Sequence, residues 1–136
     1  MTAPPPPAAD LLSMMPLAEL LGIELLEAAP EEVRGALAYR PALCTAGGVL
    51  HGGTLMAFAD TIGALCAFLN LPEGAGTATI SSATNMLRAV RGGAVLASSR
   101  PLHVGRSVIV AQTDLRDEGE RLVAQVTQTQ AVLAGS

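Results

Sequence analysis

The stretch Thr54-Leu55-Met56-Ala57-Phe58-Ala59-Asp60-Thr61-Ile62-Gly63-Ala64-Leu65-Cys66-Ala67-Phe68-Leu69 decides the fold. It lacks proline, and Leu55, Met56, Phe58, Ile62, Leu65 and Phe68 spread apolar side chains around every side of a helix, so it reads as a buried one. A lone helix of this kind needs a wide apolar surface around it, and the flanking sequence offers strands. Upstream, Leu11 to Leu21 has the spacing of a short helix ended near Gly22. Ile23 to Ala29 suits a short strand, and Glu32 to Arg40 reads as a strand stopped by Pro41. Downstream, strands are expected over Thr77–Val90, Ala94–Leu102, Arg106–Arg116 and Arg121–Leu133, separated by Gly-bearing turns in the manner of an antiparallel meander. A curved antiparallel sheet wrapped around one long central helix, an α+β architecture, satisfies both halves of the pattern.

Composition narrows the function. The chain has 136 residues, 50% hydrophobic and 15% charged, with a mean hydropathy of +0.44, enough to bury a core. Residues 1–10, including Pro4 to Pro7, read as a flexible solvated tail, and residues 11–136 as a single domain. The net charge of −4, with no Trp, one Tyr and two Phe, leaves neither a basic stripe nor a stacking surface for nucleic acid. All eight basic residues are Arg, so Schiff-base chemistry and the Walker-A phosphate loop are excluded. Cys44 and Cys66 form no CxxC pair and read as buried thiols of a cytosolic protein. The first basic residue is Arg34, against a secretory signal, and the apolar run Leu43–Leu71 is broken by His51, glycine pairs and Asp60, against a membrane span. High hydropathy without such a span points to apolar surface buried between subunits.

Asp60 is the only formally charged residue between Pro41 and Pro72. An unpaired buried carboxylate costs several kcal/mol, so it must be partnered, protonated or functional; a core Asp satisfied by backbone donors or an Arg is the bland alternative. His51-Gly52-Gly53 precedes the helix, where bare N–H groups and the helix dipole suit an oxyanion, or simply a glycine loop with a capping role. Gly52 and Asp60 are eight residues apart, roughly 12 Å along a helix. If both act on one carbonyl, the Asp comes from a neighbouring subunit. No zinc-ligand spacing joins His51, His103, Cys44 and Cys66, Ser81-Ser82 lacks a nucleophile-elbow frame, and no cofactor is expected.

The string Gly48-Val49-Leu50-His51-Gly52-Gly53-Thr54-Leu55, followed by Asp60, Gly63 and Ala64, resembles the signature of hotdog-fold acyl-CoA thioesterases of the phenylacetate-degradation (PaaI-like) type: Asn-x-x-Gly-x-x-His-Gly-Gly, then an acid within the central helix. Thr79–Val90 followed by Gly93 is similar to the family strand ending Tyr-Leu-Arg-Pro-x-x-x-Gly, and His103-Val104-Gly105-Arg106 to its Gly-Lys/Arg turn, so the likeness runs over about residues 20 to 133. The resemblance implies a hotdog fold, a cytoplasmic hydrolase of acyl-CoA thioesters, and a dimer or dimer of dimers (a homotetramer) with the active site at the subunit interface. By the same resemblance the Gly52 N–H polarises the thioester carbonyl and Asp60 of the partner subunit is nucleophile or general base. Thr79 orients water or carboxylate, and Thr45 and His51 complete the catalytic set. Gly53, Ser81, Arg88, His103, Val104, Gly105, Arg106 and Ser107 are the implied substrate and CoA contacts. Two positions depart from the family: Thr45 stands where it has Asn, and Met86-Leu87-Arg88-Ala89 where it has Tyr-Leu-Arg-Pro. Hotdog dehydratases carry a His five residues after the Asp, where this chain has Leu65. The competing reading is a non-catalytic hotdog domain that binds an acyl-CoA.

Overall fold

The computed structural model describes residues 8–135. Two short helices, α1 (Ala8–Ser13) and α2 (Pro16–Leu21), lead into strands β1 (Glu24–Ala29) and β2 (Glu32–Ala38). A 3-10 turn (Pro41–Leu43) and a glycine loop follow, then helix α3 (Gly52–Phe68) and strands β3 (Gly76–Met86), β4 (Ala94–Val104), β5 (Val108–Arg116) and β6 (Leu122–Leu133). The single helix expected over 11–21 is two, because Pro16 sits at the first turn of α2 and leaves Met14 and Met15 as the joint. Gly22 ends α2 in the left-handed conformation, φ 78°, with its N–H on Ala18 and Glu19 carbonyls. Helix α1 starts at Ala8, so the end of the expected tail is helical; residues 1–7 lie outside the described residues.

All strand pairs are antiparallel, in the order β1-β2-β4-β5-β6-β3. The expected meander holds for β4-β5-β6 but not for β3, which pairs with β6 at the far edge of the sheet. The seven-residue connection after β3 is a crossing rather than a hairpin. Leu87 and Arg88 N–H donate to Val123 O, Leu50 N–H to Val90 O and Tyr39 N–H to Gly93 O, so this segment is bonded across the end of the sheet from β6 to β2.

Helix α3 lies on the concave face. Phe58, Ala59, Ile62 and Cys66 are fully buried against β2, β4, β5 and β6 through Leu37, Val95, Ala111 and Val126. Burial of an aromatic such as Phe58 stabilises by about 1.5–3 kcal/mol. The same burial pushes the Cys66 thiol above its ordinary pKa. Cys44, by contrast, is only half-buried, because it sits in the loop bridge to Leu50 outside the sheet core. The other side of α3 leaves Met56 and Phe68 exposed and Asp60 half-buried. Among the described residues, no helix is long and apolar enough to cross a membrane.

Candidate active site

The start of α3 is fixed by a side chain. His51 is its N-cap, in extended conformation, and its Nδ1 accepts the Gly53 N–H at 2.7 Å, while its carbonyl accepts from Thr54 and Leu55. Nδ1 as acceptor puts the ring proton on Nε2. Gly53 therefore has no free N–H to offer a ligand. Gly52 does: among the described residues its N–H has no acceptor. It lines a cleft of about 410 Å³ with Thr45, Leu55, Met86 and Arg88, among others. The Thr45 hydroxyl oxygen accepts the Gly47 N–H at 3.3 Å, a local turn contact. Replacing His51 with Ala removes the cap, and the expected cost is about 1 kcal/mol, read as a lower urea midpoint at unchanged m. His51→Asn, which keeps an acceptor, should recover most of it.

Asp60 lies two turns further along α3. It is partnered, but neither by backbone donors nor by an Arg. The Thr79 hydroxyl donates to Asp60 Oδ1 at 2.9 Å, and Gln128 Nε2 donates to the same oxygen at 3.0 Å. Gln130 Nε2 in turn donates to Thr79 Oγ1 at 2.9 Å. Among the described residues, Asp60 Oδ2 takes no hydrogen bond. Asp60 opens on a cleft of about 230 Å³ lined also by Met56, Ala57, Thr79 and Ser82.

A β-bulge makes this arrangement. Thr79 pairs with Gln130 and Ser81 with Thr129, leaving Ile80 as the extra residue. Before the bulge Thr77 and Thr79 face α3; after it Ser82, Thr84 and Met86 do, opposite Gln128, Val126 and Ala124. Ser81 therefore points to the opposite face of the sheet, and Ser82 is the hydroxyl that lines the cleft. Gln128 and Gln130, both fully buried, went unassigned in the sequence reading. The signal was present: period-two alternation from Ala124 and Val126 puts both amides on the core face, where a buried polar group is the informative exception.

The expected site residues thus fall into separate clefts bordered by β3. One gathers Thr45, Gly52 and Arg88; the other holds Asp60 and Thr79. His103 and Val104 end β4, Gly105, Arg106 and Ser107 form the turn into β5, and none of the five lines either cleft. No group of three His, Cys, Asp or Glu side chains placed to hold a metal occurs among the described residues.

Residues 47–124 match the model of the thioesterase superfamily. The fold is that of thioesterase HI1161 from Haemophilus influenzae, with a TM-score of 0.90 at 30% identity, covering 96% of this chain and 93% of that one. A Haemophilus influenzae protein named provisionally as an esterase is 41% identical over 86 residues, 63% of this chain and 62% of its own length. The 1,4-dihydroxy-2-naphthoyl-CoA hydrolase of Escherichia coli is 31% identical over 86 residues, 63% of each protein. The matched segment thus spans under two thirds of these two relatives. With the helix-wrapped sheet and the His-Gly-Gly start of α3, these likenesses show that the chain belongs to the thioesterase superfamily of hotdog-fold proteins.

Proposed function

We propose that the protein hydrolyses acyl-CoA thioesters in an active site completed by a second copy of the chain. The observation that carries this reading is the pairing of an unoccupied helix-start N–H at Gly52 with a carboxylate, Asp60, held by Thr79 and Gln128 at the edge of a cleft. The two are eight residues apart, about 12 Å along α3, too far to serve one carbonyl from the same helix. Strand β3 is one of the two edges of the sheet, β1 being the other; its 11 residues offer an unpaired backbone ladder that invites pairing with another strand. Ile80 is 61% exposed on it. Antiparallel pairing of two β3 strands about a two-fold axis covers that edge and brings the Asp60 cleft of one copy against the Gly52 cleft of the other. The Met56 and Phe68 surface of α3 is covered in the same step.

In this site the Gly52 N–H, backed by the helix dipole, receives the thioester carbonyl oxygen as negative charge builds on it. Asp60 acts on the carbonyl carbon directly or through a water whose proton it accepts. One water is consumed, the carbon–sulfur bond breaks with its electrons on sulfur, and the products are the free acid and the CoA thiol. Arg88, beside the Gly52 cleft, supplies a phosphate contact, and the exposed His103–Ser107 turn a CoA contact. The acyl group runs into an apolar groove of about 260 Å³ lined by Leu11, Met14, Met15, Ala64, Leu65, Phe68 and Thr77. Ala64 and Phe68 continue the Asp60 face of α3.

The test is thiol release, followed colorimetrically, from about ten aliphatic and aromatic acyl-CoAs, with 1,4-dihydroxy-2-naphthoyl-CoA among them. Saturable turnover on at least one is expected, and light scattering should give a dimer or tetramer. Saturable binding with no hydrolysis of any ester would replace this reading with a binding protein.

A further inference from the structure

The face of β6 that packs on α3 begins as a core face, Ala124 and Val126, and then turns polar at Gln128. Gln128 is fully buried, and among the described residues its Oε1 has no hydrogen-bond partner, an omission that ordinarily destabilises a fold. The opposing helix residue is Gly63, where a Cβ would lie 2.0 Å from Gln128 Oε1 and 2.5 Å from its Cδ. A glycine inside a helix is also less stable than alanine would be there. Two losses of stability are therefore sustained so that one amide can reach across the core. Gln128 Nε2 ends 3.0 Å from Asp60 Oδ1 and 3.5 Å from the Asp60 carbonyl oxygen. A second donor, the Thr79 hydroxyl, meets the same carboxylate oxygen and is itself oriented by Gln130 Nε2. Both donors fall on Oδ1.

We propose that Gln128, in the pocket opened by Gly63, is a positioning residue that with Thr79 and Gln130 pins Asp60 through Oδ1 and leaves Oδ2 as the oxygen that acts on substrate. Two donors on one oxygen fix the carboxylate plane and its rotation, which is what a group held to within a fraction of an ångström of a reacting carbon requires. The acting oxygen then accepts a proton from water or bonds to carbon without first breaking a protein hydrogen bond. This assignment rests on the thioesterase reading above, and the test separates the two.

The experiment compares Gln128→Met, Thr79→Val, Asp60→Asn and the Gln128→Met/Asp60→Asn pair on the best acyl-CoA of the panel. Circular dichroism and thermal midpoints verify folding. Methionine matches the length of glutamine and cannot donate; Thr79 is exposed on the edge strand, so its variant keeps the assay open should Gln128→Met not fold. The expected result is a drop of about tenfold in kcat with KM within twofold for Gln128→Met and for Thr79→Val, the scale of one donor lost to a charged group. Adding Gln128→Met to Asp60→Asn should leave the residual rate unchanged, since a residue that works only through Asp60 has nothing left to act on. Parental kcat in both Gln128→Met and Thr79→Val, or a Gln128→Met loss that persists undiminished in the Asp60→Asn background, overturns the positioning role while the thioesterase reading stands. Parental turnover in Asp60→Asn overturns the reading itself, and the positioning role with it.

Discussion

Asp60→Asn is expected to lower kcat/KM at least about 10²-fold on the best acyl-CoA, within the 10²–10⁴ range for loss of a positioned acid–base group. The loss should fall on kcat, because an asparagine cannot take a proton from water or form an acyl intermediate, while the Gly52 N–H still receives the carbonyl. Stability should hardly change. The asparagine carbonyl oxygen can occupy the Oδ1 position and go on accepting from Thr79 and Gln128, so the bonds between α3, β3 and β6 survive. Steady-state thiol release together with urea unfolding of both proteins decides the matter. A folded variant that turns over at the parental rate would falsify the assignment of Asp60 to the chemistry.

Gly63→Ala is expected to be the most damaging single-methyl addition near the site. The new Cβ would stand 2.0 Å from Gln128 Oε1, and Gln128 has no exposed surface into which to swing. Overpacking of a filled core costs about 1–3 kcal/mol, and displacement of the amide forfeits its bond to the Asp60 carboxylate as well. Alanine's better helix propensity returns about 1 kcal/mol. The net expectation is a loss of about 2 kcal/mol, or about 8 °C in thermal midpoint for a domain of this size, with a drop in kcat alongside. The contact is specific, so the effect should be too: Gln128→Ala in the Gly63→Ala background should restore part of the lost stability. Fully additive losses in that pair would locate the strain elsewhere.

Most of the architecture was legible because it is local. The run from Thr54 to Leu69 could be little other than a buried helix, and its true start two residues earlier, at Gly52, reflects a cap by His51 that joins both glycines to the helix. What escaped was nonlocal. Nothing in Thr77–Val90 says that it pairs with a strand forty residues on rather than with its neighbour; that is settled by β4 having both edges occupied, by β2 and β5. At the site, Asp60 declared itself as a lone charge in an apolar helix, whereas its holders did not. Gln128 and Gln130 look like ordinary surface residues until the alternation of β6 is phased against Ala124 and Val126. Ser81, a contact implied by the resemblance, lies on the face opposite Thr79, because the bulge at Ile80 hands that face to Ser82 and no pattern in the sequence announces a bulge.

Ile80 works as a parity change written into the strand. A regular strand shows the helix either its odd residues or its even ones, never Thr79 and Ser82 together. Inserting one unpaired residue lets odd-numbered Thr77 and Thr79 and even-numbered Ser82, Thr84 and Met86 look the same way. The Asp60 cleft, lined by Thr79 and Ser82, therefore straddles a phase boundary, and the Gly52 cleft, beside Met86, lies beyond it. Deleting Ile80 would erase that boundary: whichever half of the strand kept its frame, the other would turn its side chains outward, and the Asp60 cleft would lose either Thr79 or Ser82.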